Sequence, residues 1–120
     1  MTTTWLSAAV TAADDAVRNA AHQGGGELAP LSVPELAELG GSLDHLLAQL
    51  ATWTRRVAPQ VADLPAHHEL AEDTGTVDPA ARCHQAADHL TQVSAHLAAA
   101  QAAAQSFHAA IAHLAQHDAD

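Results

Sequence analysis

Between residues 36 and 57 a large apolar residue recurs at every third or fourth position: Leu36, Leu39, Leu43, Leu46, Leu50, Trp53 and Val57. A strand has a period of two and would scatter these residues over both of its faces. A helix collects them on one face, and the alternation of threes and fours is a heptad seam. Leu47 widens the stripe. The start of this helix is also marked. Ser32 stands at the N-cap, Pro34 falls in the first turn, and Glu35 follows Ser32 by three residues, as in a capping box. The helix is expected over about 33–58. Pro59 removes one backbone hydrogen bond and crowds the carbonyl of Arg55, so a kink or an end is expected there, with Val61 and Leu64 carrying the apolar face on to 64. Gly40 and Gly41 lie inside the helix, each costing about 1 kcal/mol against alanine. They read either as a local weakness or as a close helix–helix approach.

Two further helices follow from the same periodicity. Leu6, Val10, Ala13, Val17 and Ala20 share one face of a helix over about 3–22, which Gly24, Gly25 and Gly26 close. Asp78 and Pro79 are an N-cap and first-turn pair opening a long helix over about 79–117. Its seam has two registers: Cys83, Leu90, Leu97, Ala104 and Ile111, and beside them Ala86, Val93, Ala100, Phe107 and Leu114. The connector, 65–78, carries Glu69, Glu72, Asp73 and Asp78, with a short helix expected over about 66–72 and a break at Gly75. At 1.5 Å per residue the three main helices would measure about 30, 48 and 58 Å. Short loops between helices of unequal length predict an all-α, up-down-up three-helix bundle. A short fourth helix in the connector precedes the long C-terminal helix, with Leu70 and Val77 covering the end that the first helix cannot reach. The whole chain, 1–120, is expected to form a single domain.

Composition narrows the function. Leu, Ile, Val and Phe make up only 23 of 120 residues, near the composition of unfolded chains, but their spacing is helical and argues for folding. The basic residues are four arginines, set against fourteen acids, for a formal charge of −10. Nucleic-acid binding needs a cationic surface to neutralise phosphates and is not expected. A single cysteine excludes an intramolecular disulfide framework. Thr2 to Thr4 add no positive charge before the first apolar residues, and Asp14-Asp15 interrupt them, so no secretory signal is read and a cytoplasmic location is expected. From His89 to His117 there is no Asp, Glu, Lys or Arg, but five histidines, four glutamines, Thr91, Ser94 and Ser106 make a membrane span too costly. Protonation of all ten histidines would bring the formal charge from −10 to zero. Solubility is expected to fall between about pH 7 and pH 5 as self-repulsion fades.

Two groups of residues are candidates for function. Ala95, Ala102 and Ala109 lie opposite the seam of the long helix, with Ala98, Ala99 and Ala112 beside them. Such small residues either serve helix propensity alone or form a surface on which a second copy or a helical partner docks closely. The second group is histidine. His113 and His117 are spaced to share a metal ion on one helical face, near Asp118 and Asp120, and His67-His68-Glu69 lies in the connector close to Cys83-His84. His113, His117, His67 and His68 are therefore the candidate ligands of a divalent metal, against the plainer reading of solvated polar positions. No HExxH, cysteine pair or repeated Glu-x-x-His supports a specific metal motif. Cys83 reads as a small core residue, Trp5 and Trp53 as packing residues, and Arg55-Arg56 as cations suited to a helix C-terminus. No nucleophile elbow or lysine-bearing phosphate loop is present, and no enzyme is expected.

The run LSVPELAELGGSLDHLLAQL, followed by a helix containing CHQAADHLTQVSAHL, resembles small alanine- and histidine-rich helical proteins encoded in high-GC actinobacteria. That resemblance spans most of 31–108 and implies a helical fold without an assigned activity. In size and helical character the chain also resembles the helical-hairpin proteins exported by type VII secretion. It departs from them in lacking the Trp-x-Gly turn, since Trp53 is followed by Thr54 and Arg55, and in having no tyrosine for an export signal. Together these readings give the expectation of a non-enzymatic helical-bundle protein acting through protein–protein contact. Its partner would be itself or another helical protein, with histidine-based metal binding as the alternative and export of the type VII kind as a weaker one.

Overall fold

The computed structural model describes residues 4–22 and 30–115. It contains four helices and, among the described residues, no strand: α1 (Thr4–His22), α2 (Val33–Ala62), α3 (Leu64–His67) and α4 (Pro79–Ala112). The chain divides into two units, Met1–Leu31 and Ser32–Asp120.

The first unit holds α1. Val10 and Val17 of its predicted stripe are 54% and 64% exposed, and Trp5 is 59% exposed. Arg18 reaches back one turn to Asp14 at 2.6 Å, but both side chains are more than half exposed. Such a pair stabilises a helix by only a few tenths of a kcal/mol.

The second unit is an antiparallel hairpin of α2 and α4. Ser32 caps α2 as expected, its Oγ accepting from the Glu35 N–H at 3.2 Å and donating to Glu35 Oε1 at 3.0 Å. α2 does not end at Pro59 but continues to Ala62. Ala58, one residue earlier, is buried, so tertiary packing holds the segment through the one backbone bond that proline forfeits. The helix stops at Asp63, whose N–H bonds to the Pro59 carbonyl, two residues before Pro65. The connector helix is shorter and earlier than the expected 66–72: α3 covers Leu64–His67, and His68 is already extended. Asp78 takes the N-cap position of α4, without a side-chain hydrogen bond. At the other end α4 closes at Ala112 with His113 as C-cap, short of the expected 117; residues 116–120 lie outside those described.

Three bridges fix the register of the hairpin. The His108 ring donates from Nδ1 to the Ala37 carbonyl at 2.9 Å. Gln101 Nε2 donates to Asp44 Oδ1 at 3.0 Å. Ser94 Oγ donates to the Ala51 carbonyl at 3.1 Å. Each step of seven along α2 is matched by a step of seven back along α4, the signature of an antiparallel heptad contact. The next such pair, Ala58 and Ala87, is buried on both sides.

The residues in this contact are small. Among the described residues, Ala51, Ala58, Cys83, Ala87 and Ala104 are the buried apolar ones, joined by Gly40. The expected seam of α2 is displaced from the contact by one residue. Leu39, Leu43 and Leu46 are 40–49% exposed, and Leu36, Leu50, Trp53 and Val57 are half-buried. On α4 the register Cys83, Leu90, Leu97, Ala104, Ile111 does turn inward, but Ala86, Val93, Ala100, Phe107 and Leu114 are exposed. Their places are taken by Ala87, Ser94, Gln101 and His108. The cause is steric and polar together: glycine and alanine allow close approach of the two backbones, and only that approach lets Ser94 and His108 reach carbonyls of the facing helix. Gly40 thus marks a close approach, whereas Gly41 has room for a side chain.

Candidate interaction surface

The displacement of the large apolar residues creates a surface. On α2 the contact line is Ala37, Asp44, Ala51, Ala58, and the leucine stripe Leu36, Leu43, Leu50, Val57 lies one residue before it. On α4 the line Ala87, Ser94, Gln101, His108 has Ala86, Val93, Ala100, Phe107 one residue before it. In antiparallel helices equal offsets fall on the same side of the pair, because reversing the chain also reverses the sense in which residues turn. Both stripes therefore share one side of the hairpin. The opposite offset agrees: Pro59 of α2 and Ala95 of α4, each one residue after its contact line, border a single shallow groove.

This leucine face combines Leu39, Leu43 and Leu46 with Val93 and Phe107, all at least 37% exposed, and the half-buried Leu36, Leu50, Trp53 and Val57. No charged residue stands in either stripe. The guanidinium of Arg56 lies over the Trp53 ring, 5.7 Å from its centre, so the cation at this margin is held against the aromatic face. Large apolar residues exposed side by side are candidates for a protein contact.

The alanine surface expected on α4 occupies the other side. Ala95, Ala98, Ala99, Ala102, Ala109 and Ala112 are all exposed. Ala95 and Ala98 border the groove just described, together with Arg55, Pro59 and Thr91. Periodicity alone puts the large residues inside, whereas the hairpin contact is made by small residues and leaves the leucine face open. The sequence does carry a signal for this. Ala37, Ala51 and Ala58 share one heptad position with Asp44, directly beside the leucines, and Gly40 lies three residues after Ala37.

The candidate metal ligands are not brought together. His67 ends α3 and His68 is its C-cap, beside the start of α4, whereas His113 caps the far end of α4. The 34 residues of α4 separate the two places by about 50 Å. His117 lies outside the described residues. Among those described, no group of three or more His, Cys, Asp or Glu side chains is placed to hold an ion. Cys83 is a buried free thiol and borders a groove with Leu64 and Leu70 of the connector region.

The connector is fixed by one polar network. The Glu72 side chain is 6% exposed and accepts from Arg82 Nε at 3.1 Å. The Thr74 hydroxyl also donates to it, at 2.7 Å from Oε1, and lies 2.8 Å from the Thr76 hydroxyl. The Thr74 hydrogen bond, aided by Arg82 against the opposing effect of burial, lowers the Glu72 carboxyl to about 2. Gly75 turns the chain inside this network with a φ of +69°, a conformation glycine adopts without strain. Glu72 thus engages Arg82 at the start of α4.

Among the described residues no helix is long and apolar enough to cross a membrane. Comparison of the chain with known protein families, with curated proteins and with solved structures finds no match.

Proposed function

We propose that this is a non-enzymatic helical protein that works by helix–helix association, and that the leucine face of the α2–α4 hairpin is its contact surface. One observation carries the reading: the hairpin uses its small residues for its own contact and leaves Leu39, Leu43, Leu46, Val93 and Phe107 exposed together on one side. A helical partner gains about 25 cal/mol for each Å² of apolar surface it covers there. The up-down-up bundle, with the helix of Thr4–His22 as its third member, is the competing intramolecular use of that face, and association between molecules is the use proposed. The two differ in the angle they demand between the faces of each helix. A free buried thiol at Cys83 suits a reducing compartment, and the cytoplasm is the proposed location.

The test is alkylation of single cysteines, Leu46→Cys and Ala102→Cys, each in a Cys83→Ala background. In intact cells position 46 should react at least tenfold more slowly than position 102. Equal rates would remove the leucine face as a contact surface. Protection of position 46 in a purified species of monomer mass, 12.4 kDa, would assign the face to the chain's own fold and overturn the reading.

A further inference from the structure

We infer that the occupant of the leucine face is the same face of a second copy, so that two hairpins complete a four-helix bundle. The inference rests on the reading of that face as a contact surface. Three observations select this occupant.

The first is angular. At 3.5 residues per turn, neighbouring positions of a heptad are about 103° apart. The Leu36, Leu43, Leu50, Val57 stripe of α2 therefore stands about 100° from its contact line with α4, and Leu39, Leu46 and Trp53, two residues after that line, stand about 155° from it on the same side. The Val93–Phe107 stripe stands about 80° from the middle of the α4 contact, which lies between the Leu90–Leu97 and Ser94–Gln101 lines. A helix at the corner of a four-helix square has its two contact faces about 90° apart, and a helix in a three-helix triangle has them about 60° apart. Both helices of the hairpin match the square.

The second is size. The face runs from Leu36 to Val57 and is two helices wide. That is about 33 Å by about 18 Å, or roughly 600 Å² in projection. The area matches the ~800 Å² of accessible surface that each partner contributes to a stable interface, and a second two-helix layer covers its full width.

The third is complementarity. A twofold axis parallel to the helices lays α2 of each copy over α4 of the other, antiparallel and at the same height. α2 brings Leu39, Leu43 and Leu46, while α4 alternates Ala86, Val93, Ala100 and Phe107. The leucines at 43 and 46 then stand level with Ala100, where there is room for them. Neither stripe contains a charge, so the net charge of −10 on each chain stays outside the contact.

Light scattering of the purified full chain should give twice the monomer mass of 12.4 kDa at micromolar concentration. Leu43→Glu should raise the dissociation constant at least ~30-fold with helicity retained by circular dichroism, and Ala102→Glu should leave it unchanged. Should Leu43→Glu lose its helicity, a mixture of Leu43→Cys and Ala100→Cys chains, each in the Cys83→Ala background, gives a second reading. A short bis-maleimide should join position 43 of one copy to position 100 of the other, and Ala102→Cys in place of Ala100→Cys should give no such product. A monomer at high micromolar concentration with position 46 reactive, though protected in cells, would overturn self-pairing and leave the face to a different helical protein. A monomer with position 46 protected would overturn both readings. A dimer broken by Ala102→Glu and not by Leu43→Glu would move the contact to the alanine side.

Discussion

The His108 ring bonds to the carbonyl of Ala37 while its Cα and Cβ stand 3.2 and 3.1 Å from the point where a Cβ on Gly40 would lie. The absence of a side chain at Gly40 is what lets α4 come this close to α2. At Gly41 the nearest atom of the same ring is 3.6 Å away, an ordinary contact. The two neighbouring glycines should therefore respond in opposite ways to alanine. Gly41→Ala should stabilise the chain by up to about 1 kcal/mol through helix propensity. Gly40→Ala should lose that gain, because His108 presents backbone there and the helices must separate. Urea midpoints of the two variants measure the difference, and equal stabilisation would show that the approach at Gly40 is not tight.

Ala51 and Ala58 are 6% and 5% exposed at the centre of the hairpin. Ala51→Leu would force the helices apart and break the bond from Ser94 Oγ to the Ala51 carbonyl. A loss of about 1–3 kcal/mol is expected from overpacking, measured by thermal or urea unfolding. A neutral result would mean that the contact is loose enough to take the larger side chain.

Asp44 accepts two interhelical hydrogen bonds on one oxygen, from Gln101 at 3.0 Å and Gln105 at 3.2 Å. Hydrogen bonds to a charged acceptor contribute more than neutral ones. A double-mutant cycle of Asp44→Ala with Gln101→Ala should give a coupling of about 1 kcal/mol, discounted from the buried value because Asp44 is half-exposed. Additive effects would show that the pair sets no register.

Glu72 gives the connector a pH dependence of known sign. Its carboxyl falls from an ordinary value of 4.5 to about 2, chiefly through the Thr74 hydroxyl and Arg82. A carboxylate lowered in the folded state adds its stability in full above about pH 4.5 and loses it as the pH falls through about 2. The stability difference between the wild-type chain and Glu72→Gln should be constant near neutrality and shrink below about pH 4.5. A difference that does not change over this window would place the carboxylate outside the network.

Much of the helical plan is legible in the sequence. The Ser32–Glu35 cap, the stripe from Leu36 to Val57 and the Asp78-Pro79 start each name a helix by local chemistry. Local signals fail where packing outweighs them. Pro59 leaves a kink or an end open, and with Ala58 buried beside it the helix runs on to Ala62. The expected 66–72 helix gives way to a network in which Glu72 bonds with Thr74 and with Arg82, ten residues ahead of it. No local periodicity encodes that pairing. The histidines illustrate the same point: spacing suggests ligands, but only the length of α4 shows that His67 and His68 are remote from His113.

Local chemistry is enough to make the chain helical, to mark where most helices begin, and to leave it with a charge unsuited to a phosphate-binding surface. A heptad stripe states which residues share a face but not what that face meets. That the α2–α4 contact is made by Gly40, Ala51, Ala58 and Ala87, with the leucines turned one residue aside, emerges in three dimensions. The reason is physical. Close backbone approach and the interhelical bonds of Asp44, Ser94 and His108 depend on two helices meeting in one register, and that is a property of the pair rather than of either helix alone.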